Sequence, residues 1–285
     1  MTAPLLDMLA YPFIQNALLT GTLIAIIAAV AGYFLVLRGL TFAAHALPNI
    51  GFAGAAGAVL IGASPLTGLL AFTIAAGVAI GLLGKRIRER DIAIGVIMTL
   101  SLGVGILFLS LYAGFAQQAY SILFGTILGI SRSDVAITAA AGAFTLIALA
   151  AMARPLLFSS VDPEVAEARG VPVRLLGVAF LAVAAIAISM SIQVVGALLV
   201  FTLLVGPAAT ALRLVRRPAS AIALAVLLGV AYTWAGVLLA ATITTLPVSF
   251  CIATLSFAVY LPVRLLAPAH AADGHGHGHG QHEIA

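Results

Sequence analysis

Two polar side chains, His45 and Asn49, stand four residues apart in the run Leu40-Thr-Phe-Ala-Ala-His-Ala-Leu-Pro-Asn49, where almost every neighbour is apolar. On a helix this spacing places both on one face. An imidazole nitrogen and an amide oxygen can hold a cation weakly, and a site that conducts must bind loosely enough to let go. Pro48 removes a backbone hydrogen bond between them and opens the preceding turn. Arg38 lies two turns upstream, so the same pair also reads as an interfacial anchor of a helix end. A histidine with no carboxylate or nucleophile beside it makes no catalytic set, and no enzyme activity is expected of this chain.

A second polar break is Gly206-Pro207, inside the apolar run Val194–Leu212 and flanked by Thr202 and Thr210. Proline within a span frees a carbonyl, and the hydroxyls beside it are spare donors and acceptors. Thr202 and Pro207 are therefore placed with His45 and Asn49 on the candidate path. Ser189, Ser191 and Gln193 form the one polar cluster just before that run. Charge is concentrated elsewhere, in residues 159–174. There Asp162 precedes Pro163 as a helix N-cap does, Glu164, Glu167 and Arg169 follow, and Gly170 and Pro172 stop the helix. A capped, deliberately stopped helix of about two turns suits a docking element for a soluble partner better than a plain loop.

The elements that must position these residues are membrane helices. The 285 residues are 63% hydrophobic and 8% charged, with a mean hydropathy of +1.23, where soluble domains carry about 25% charged residues. The predicted fold class is all-α, a polytopic transmembrane bundle over residues 1–266 with a hydrophilic tail from 267 to 285. Runs near the ~20 residues needed to cross a bilayer fall at 16–36, 43–62, 65–84, 92–113, 134–153, 173–190, 194–212, 218–239 and 243–263. Placing Arg38, Lys85 to Arg90, the 154–174 region, Arg213 to Arg217 and Arg264 on one side leaves only Arg132 of the thirteen basic residues opposite. The positive-inside rule makes that side cytoplasmic, with the N-terminus outside and the C-terminus inside. Nine spans satisfy the alternation, and eight do so if the first or second run is broken. Residues 121–130 are too short to cross and read as a re-entrant or interfacial segment. Gly51, Gly54 and Gly57 read as close helix packing. Met1 to Asn16 lacks a basic n-region and a small-residue cleavage pattern.

Composition also excludes classes of function. The charge of +4 comes without clustered basic residues interleaved with aromatics, which argues against nucleic acid. One cysteine, Cys251, gives no disulfide framework. Gly81-Leu-Leu-Gly-Lys85 lacks phosphate-loop spacing, so any ATP hydrolysis belongs to another chain. A cation-coupled carrier usually keeps a mid-membrane Asp, Glu or Lys, and the spans hold none outside their ends.

The segment Asp162-Pro-Glu-Val-Ala-Glu-Ala-Arg-Gly-Val-Pro-Val-Arg174 resembles the coupling segment of the zinc/manganese permease family, the membrane subunits of metal-uptake ABC transporters. Val195–Thr210 resembles that family's late transmembrane signature, and Leu35-Val-Leu-Arg-Gly-Leu40 is similar to the end of its first helix. The likeness runs in order over about residues 12–265. It implies a permease homodimer or pseudo-dimer in a bacterial plasma (inner) membrane, a cytoplasmic ATP-binding subunit docked on residues 162–170, and an extracytoplasmic metal-binding receptor. No tightly bound cofactor is implied, only a transported divalent metal. Family members usually carry Asp then His, four residues apart, where this chain has His45 and Asn49. Loss of the anionic ligand suits zinc, nickel, copper or iron better than manganese, so zinc is expected first, with manganese or iron next. The alternatives are a permease for a chelated metal or other small solute, and a cation-coupled secondary carrier.

The tail carries five of the six histidines, His270, His275, His277, His279 and His282, three of them alternating with glycine. Such a tract cannot bury enough apolar surface to fold, but its imidazoles can converge on a borderline metal. Deleting residues 270–285 should lower the zinc or nickel bound per chain, measured by equilibrium dialysis, and leave most uptake at saturating metal intact.

Overall fold

The computed structural model describes residues 11–83, 87–112, 123, 125, 130–243 and 245–266. All described regular structure is helical: α1 (Pro12–Leu37), α2 (Thr41–Leu60), α3 (Pro65–Leu82), α4 (Ile87–Ser110), α5 (Arg132–Val161), α6 (Pro163–Ala168), α7 (Val173–Val195), α8 (Ala197–Leu214), α9 (Pro218–Thr242) and α10 (Val248–Leu266). Among the described residues eight helices are long and apolar enough to span a bilayer, with α8 a shorter apolar helix. Each predicted run therefore corresponds to a helix, the seventh being the short one. The histidine tail lies outside the described residues, as does 121–130 apart from Leu123, Gly125 and Ile130.

Helices α1, α2 and α7 are the most enclosed, and α3, α4, α5, α9 and α10 surround them. In lipid, apolar side chains gain little by choosing a helix over an acyl chain, so association depends on close contact through small residues. The glycines of α2 supply that contact. A Cβ on Gly54 would strike the Gly68 carbonyl of α3, and one on Gly68 would strike the Gly54 carbonyl. Gly51 faces Thr73 and Leu69, and Gly57 faces the Phe108 ring. Gly32 of α1 sits in the same way against the Leu204 backbone of α8.

Two sequence expectations shift. The polar cluster Ser189, Ser191 and Gln193 lies inside the last turns of α7, with both serines fully buried. Gly196, at φ +87°, alone makes the reversal into α8, a backbone state that glycine adopts without a side-chain clash. Gly125 packs against that corner, where an added Cβ would lie 2.5 Å from Gly196 N. The charged island also begins later than its sequence suggests. Helix α5 runs on to Val161, so Ser159 and Ser160 are helical, each donating to Leu156 O at 3.2 and 2.6 Å.

The basic end is assembled by Arg38. Its guanidinium donates to Ser159 Oγ at 2.9 Å and lies over the Phe180 ring at 5.8 Å, tying the end of α1 to α5 and α7. At the other end, Asn16 donates to Ile130 O at 3.2 Å. A capping box between Ser131 and Asp134 starts α5 there, beside Arg132. The fold thus gathers Arg38 and Arg174 at one end with Arg132 at the other, in agreement with the sidedness of the sequence.

Gly54→Ala should cost roughly 1–3 kcal/mol, because a backbone carbonyl cannot move aside. Gly103→Ala, with no heavy atom within 4 Å of its added methyl, should be neutral or slightly stabilising. Thermal denaturation in detergent checks the pair, and equal melting temperatures for both variants would contradict the packing account.

Candidate functional site

His45 lies in the second turn of α2 and is exposed, and Asn49 follows one turn later, half-buried. The Asn49 amide Nδ2 donates to the His45 carbonyl at 2.9 Å and lies 3.7 Å from Met98 Sδ on α4. This orientation uses the amino half of the carboxamide on the helix itself and turns the oxygen away from that carbonyl. The His45 ring meets Phe201 of α8 edge to face, 5.3 Å between centroids with planes at 80°. Three helices, α2, α4 and α8, therefore converge on the pair.

The expected partners from α8 are arranged differently. Thr202 is half-buried and Pro207 buried, with the helix continuous through the proline. The ring that touches His45 is that of Phe201, the residue before Thr202. Thr210 Oγ1 donates to Gly206 O at 2.8 Å, and Gly206 is so close to Ser256 of α10 that a Cβ there would strike its hydroxyl. The Gly-Pro segment is thus a tightly packed stretch of helix. Phe201 and Met98 escape sequence reasoning because an aromatic and a thioether look like any other apolar residue of a span. Their place beside the pair emerges only once the helices pack.

Among the described residues no group of three or more His, Cys, Asp or Glu side chains converges on one point. What one chain offers at this place is an imidazole nitrogen, an amide oxygen and a nearby thioether sulfur. That set holds no carboxylate and is open, suited to weak and reversible contact with a divalent ion. The tail histidines, His270 to His282, lie outside the described residues.

The charged helix α6 is built as the sequence anticipates. Asp162 has extended backbone angles, closes α5 as its C-cap, and opens α6 as its N-cap. Its Oδ1 accepts from Glu164 N and Val165 N, both at 3.0 Å. At the far end Val171 N reaches Ala166 O at 3.0 Å and Gly170 N reaches Glu167 O at 2.9 Å, with Gly170 at φ +84°. Those two bonds are a Schellman stop, which needs a residue tolerant of the left-handed region. Ala166 is fully buried, whereas Asp162, Pro163, Glu164, Glu167, Arg169 and Gly170 are exposed. Val161 and Val165 are exposed beside them, at 84% and 44%. The result is a short helix capped at both ends, with a charged and apolar surface and Ala166 buried, at the arginine-rich end of the bundle.

The chain matches the sequence profile of the ABC 3 transport family over residues 10–267. Among curated proteins it is 33% identical to the manganese transport system membrane protein MntC of Halalkalibacterium halodurans, over 81% of this chain and 80% of that one. It is 30% identical to the manganese import system permease protein ScaB of Streptococcus parasanguinis, over 70% and 72%. Among solved structures it resembles PsaBC from Streptococcus pneumoniae in complex with Fab, with a TM-score of 0.80 and 28% identity over 93% of this chain and 96% of that one.

Asp162→Ala should cost the first turn of α6 about 1 kcal/mol, the usual price of a lost N-cap. Amide exchange at Glu164 and Val165 should then quicken about fivefold, read by hydrogen–deuterium exchange, while the spans keep their protection.

Proposed function

We infer the function of this chain from its family, for it belongs to the ABC 3 transport family. It is the pore-forming permease subunit of an ATP-driven importer of a divalent transition metal. The observation that carries this reading is the match over nearly the whole chain, with relatives named for manganese transport and import. The subunit works as a homodimer in a bacterial plasma membrane, with its arginine-rich end and C-terminus in the cytoplasm. A separate ATP-binding subunit docks on α6, and an extracytoplasmic receptor delivers the ion. The capped knob supports the docking assignment, since force from a partner is transmitted only by an element that does not fray. The metal passes His45 and Asn49, and the tail histidines buffer it after passage.

The relatives' names reverse the order of metals expected from the sequence and favour manganese over zinc. One observation keeps zinc as a second reading. The pair has no carboxylate and has a thioether at 3.7 Å from Asn49 Nδ2, a softer donor set than the carboxylate oxygen that suits manganese.

The test is uptake into proteoliposomes holding the permease with its ATP-binding subunit. His45→Ala should lower metal uptake about tenfold or more with little change in melting temperature, since the residue is exposed and its loss leaves no cavity. His45→Asp with Asn49→His should raise the ratio of manganese to zinc carried. Parental rates in His45→Ala would remove the pair from the path.

A further inference from the structure

At the arginine-rich end a cavity of about 660 Å³ opens between α1, α3, α4, α5 and α7. Its polar lining is Arg38, Arg90, Arg174, Ser159 and Ser160, and among the described residues that line it there is no carboxylate. Leu40, Ile80 and Leu181 add apolar lining, as do the exposed Leu82 and Leu83. Arg90 is 13% exposed, and its Nε is buried without a hydrogen-bond partner, 3.6 Å from an Asp91 oxygen that lies outside the cavity lining. Among the described residues Arg38 has one side-chain hydrogen bond, to Ser159, for its five donors. Burial first, and then the charge of Arg90, pull the Arg38 guanidinium below its ordinary value.

Arginine does not escape such a site by losing its proton. Asp91 forms an ion pair with Arg90 from outside the lining, but two half-buried like charges that face one space still favour an anion that joins them. Guanidinium forks match phosphate oxygens, and serine hydroxyls add donors of the right kind. The volume is within the roughly 300–1,000 Å³ of ligand pockets. Apolar walls beside the cations fit a lipid better than a hydrated acidic side chain, and basic pockets between membrane helices near the cytoplasmic surface hold lipid headgroups. We propose that the Arg38–Arg90–Arg174 cavity binds the phosphate of an anionic phospholipid from the leaflet on the arginine-rich side, clamping α1, α4 and α7 together next to α6. Pro163 of α6 lines the same cavity, so an occupied site also steadies the root of the knob. The proposal is independent of which metal is carried.

The full chain in phosphatidylcholine nanodiscs, with and without phosphatidylglycerol, tests this by native mass spectrometry and thermal denaturation. The parent should retain one phosphatidylglycerol per chain and melt higher in its presence. Arg90→Gln and Arg174→Gln should each cut retention, and together with Arg38→Gln the loss should reach about tenfold or more. Arg217→Gln, on the same side but outside the lining, should change nothing. Arg90→Gln gives up the 3.6 Å ion pair with Asp91 but leaves the Arg38–Ser159 bond in place, so it reports even if Arg38→Gln folds poorly. Equal retention by parent and Arg90→Gln/Arg174→Gln overturns the proposal. Equal protection of the parent by inorganic phosphate overturns the lipid source. Unchanged lipid retention in these variants with weakened binding of the ATP-binding subunit would assign the cavity to a partner's carboxylate instead.

Discussion

Backbone-to-backbone contact between helices is the interaction on which the rest of this structure depends. In a bilayer the hydrophobic effect drives segments in but does not drive them together, so packing must come from surfaces that fit closely. Gly54 against Gly68, Gly32 against Leu204 and Gly77 against Leu181 each bring a helix to the backbone of its neighbour. These contacts fix α2 against α3, α1 against α8 and α3 against α7. The His45 face of α2 is thereby held between α4 and α8. Neither Phe201 nor Met98 would reach the pair if the helices stood a side chain further apart.

The same economy of small residues explains why the polar features sit at the ends. A bundle this tight has little room for charge, and the charged groups gather where Arg38 ties α1 to Ser159 and Phe180. That tie sits at the root of α6, whose own shape is set by Asp162 and Gly170. Linkage from the membrane core to an exposed knob therefore runs through a few residues with defined hydrogen bonds.

Legibility of the sequence followed the strength of the local physics. All nine apolar runs could be read as helices because apolar length is dictated by bilayer thickness, but that the seventh, α8, is shorter than a span could not. The two ends of α6 could be read because Asp-Pro and Gly-x-Pro encode cap and stop within a single turn. The turn at Gly196 was hidden, since one glycine among many carries no mark until its φ is known, and the serines before it looked like loop. The extension of α5 to Val161 was hidden because Pro155 and the serines mimic a boundary while tertiary contacts, above all that from Arg38, keep the helix going. At the site, His45 and Asn49 stood out against an apolar background. Phe201, Met98 and the arginine-lined cavity depend on residues far apart in sequence and became visible only with the packing.

A chain that forms the path of an ATP-driven metal importer must move metal at the expense of ATP and of nothing else. Purified permease and its ATP-binding subunit are reconstituted in vesicles, and accumulation of radioactive manganese is followed with ATP alone, with a proton gradient alone, and with neither. The account predicts accumulation only with ATP, in line with spans that hold no mid-membrane carboxylate to relay protons. Accumulation driven by the proton gradient without ATP would contradict it.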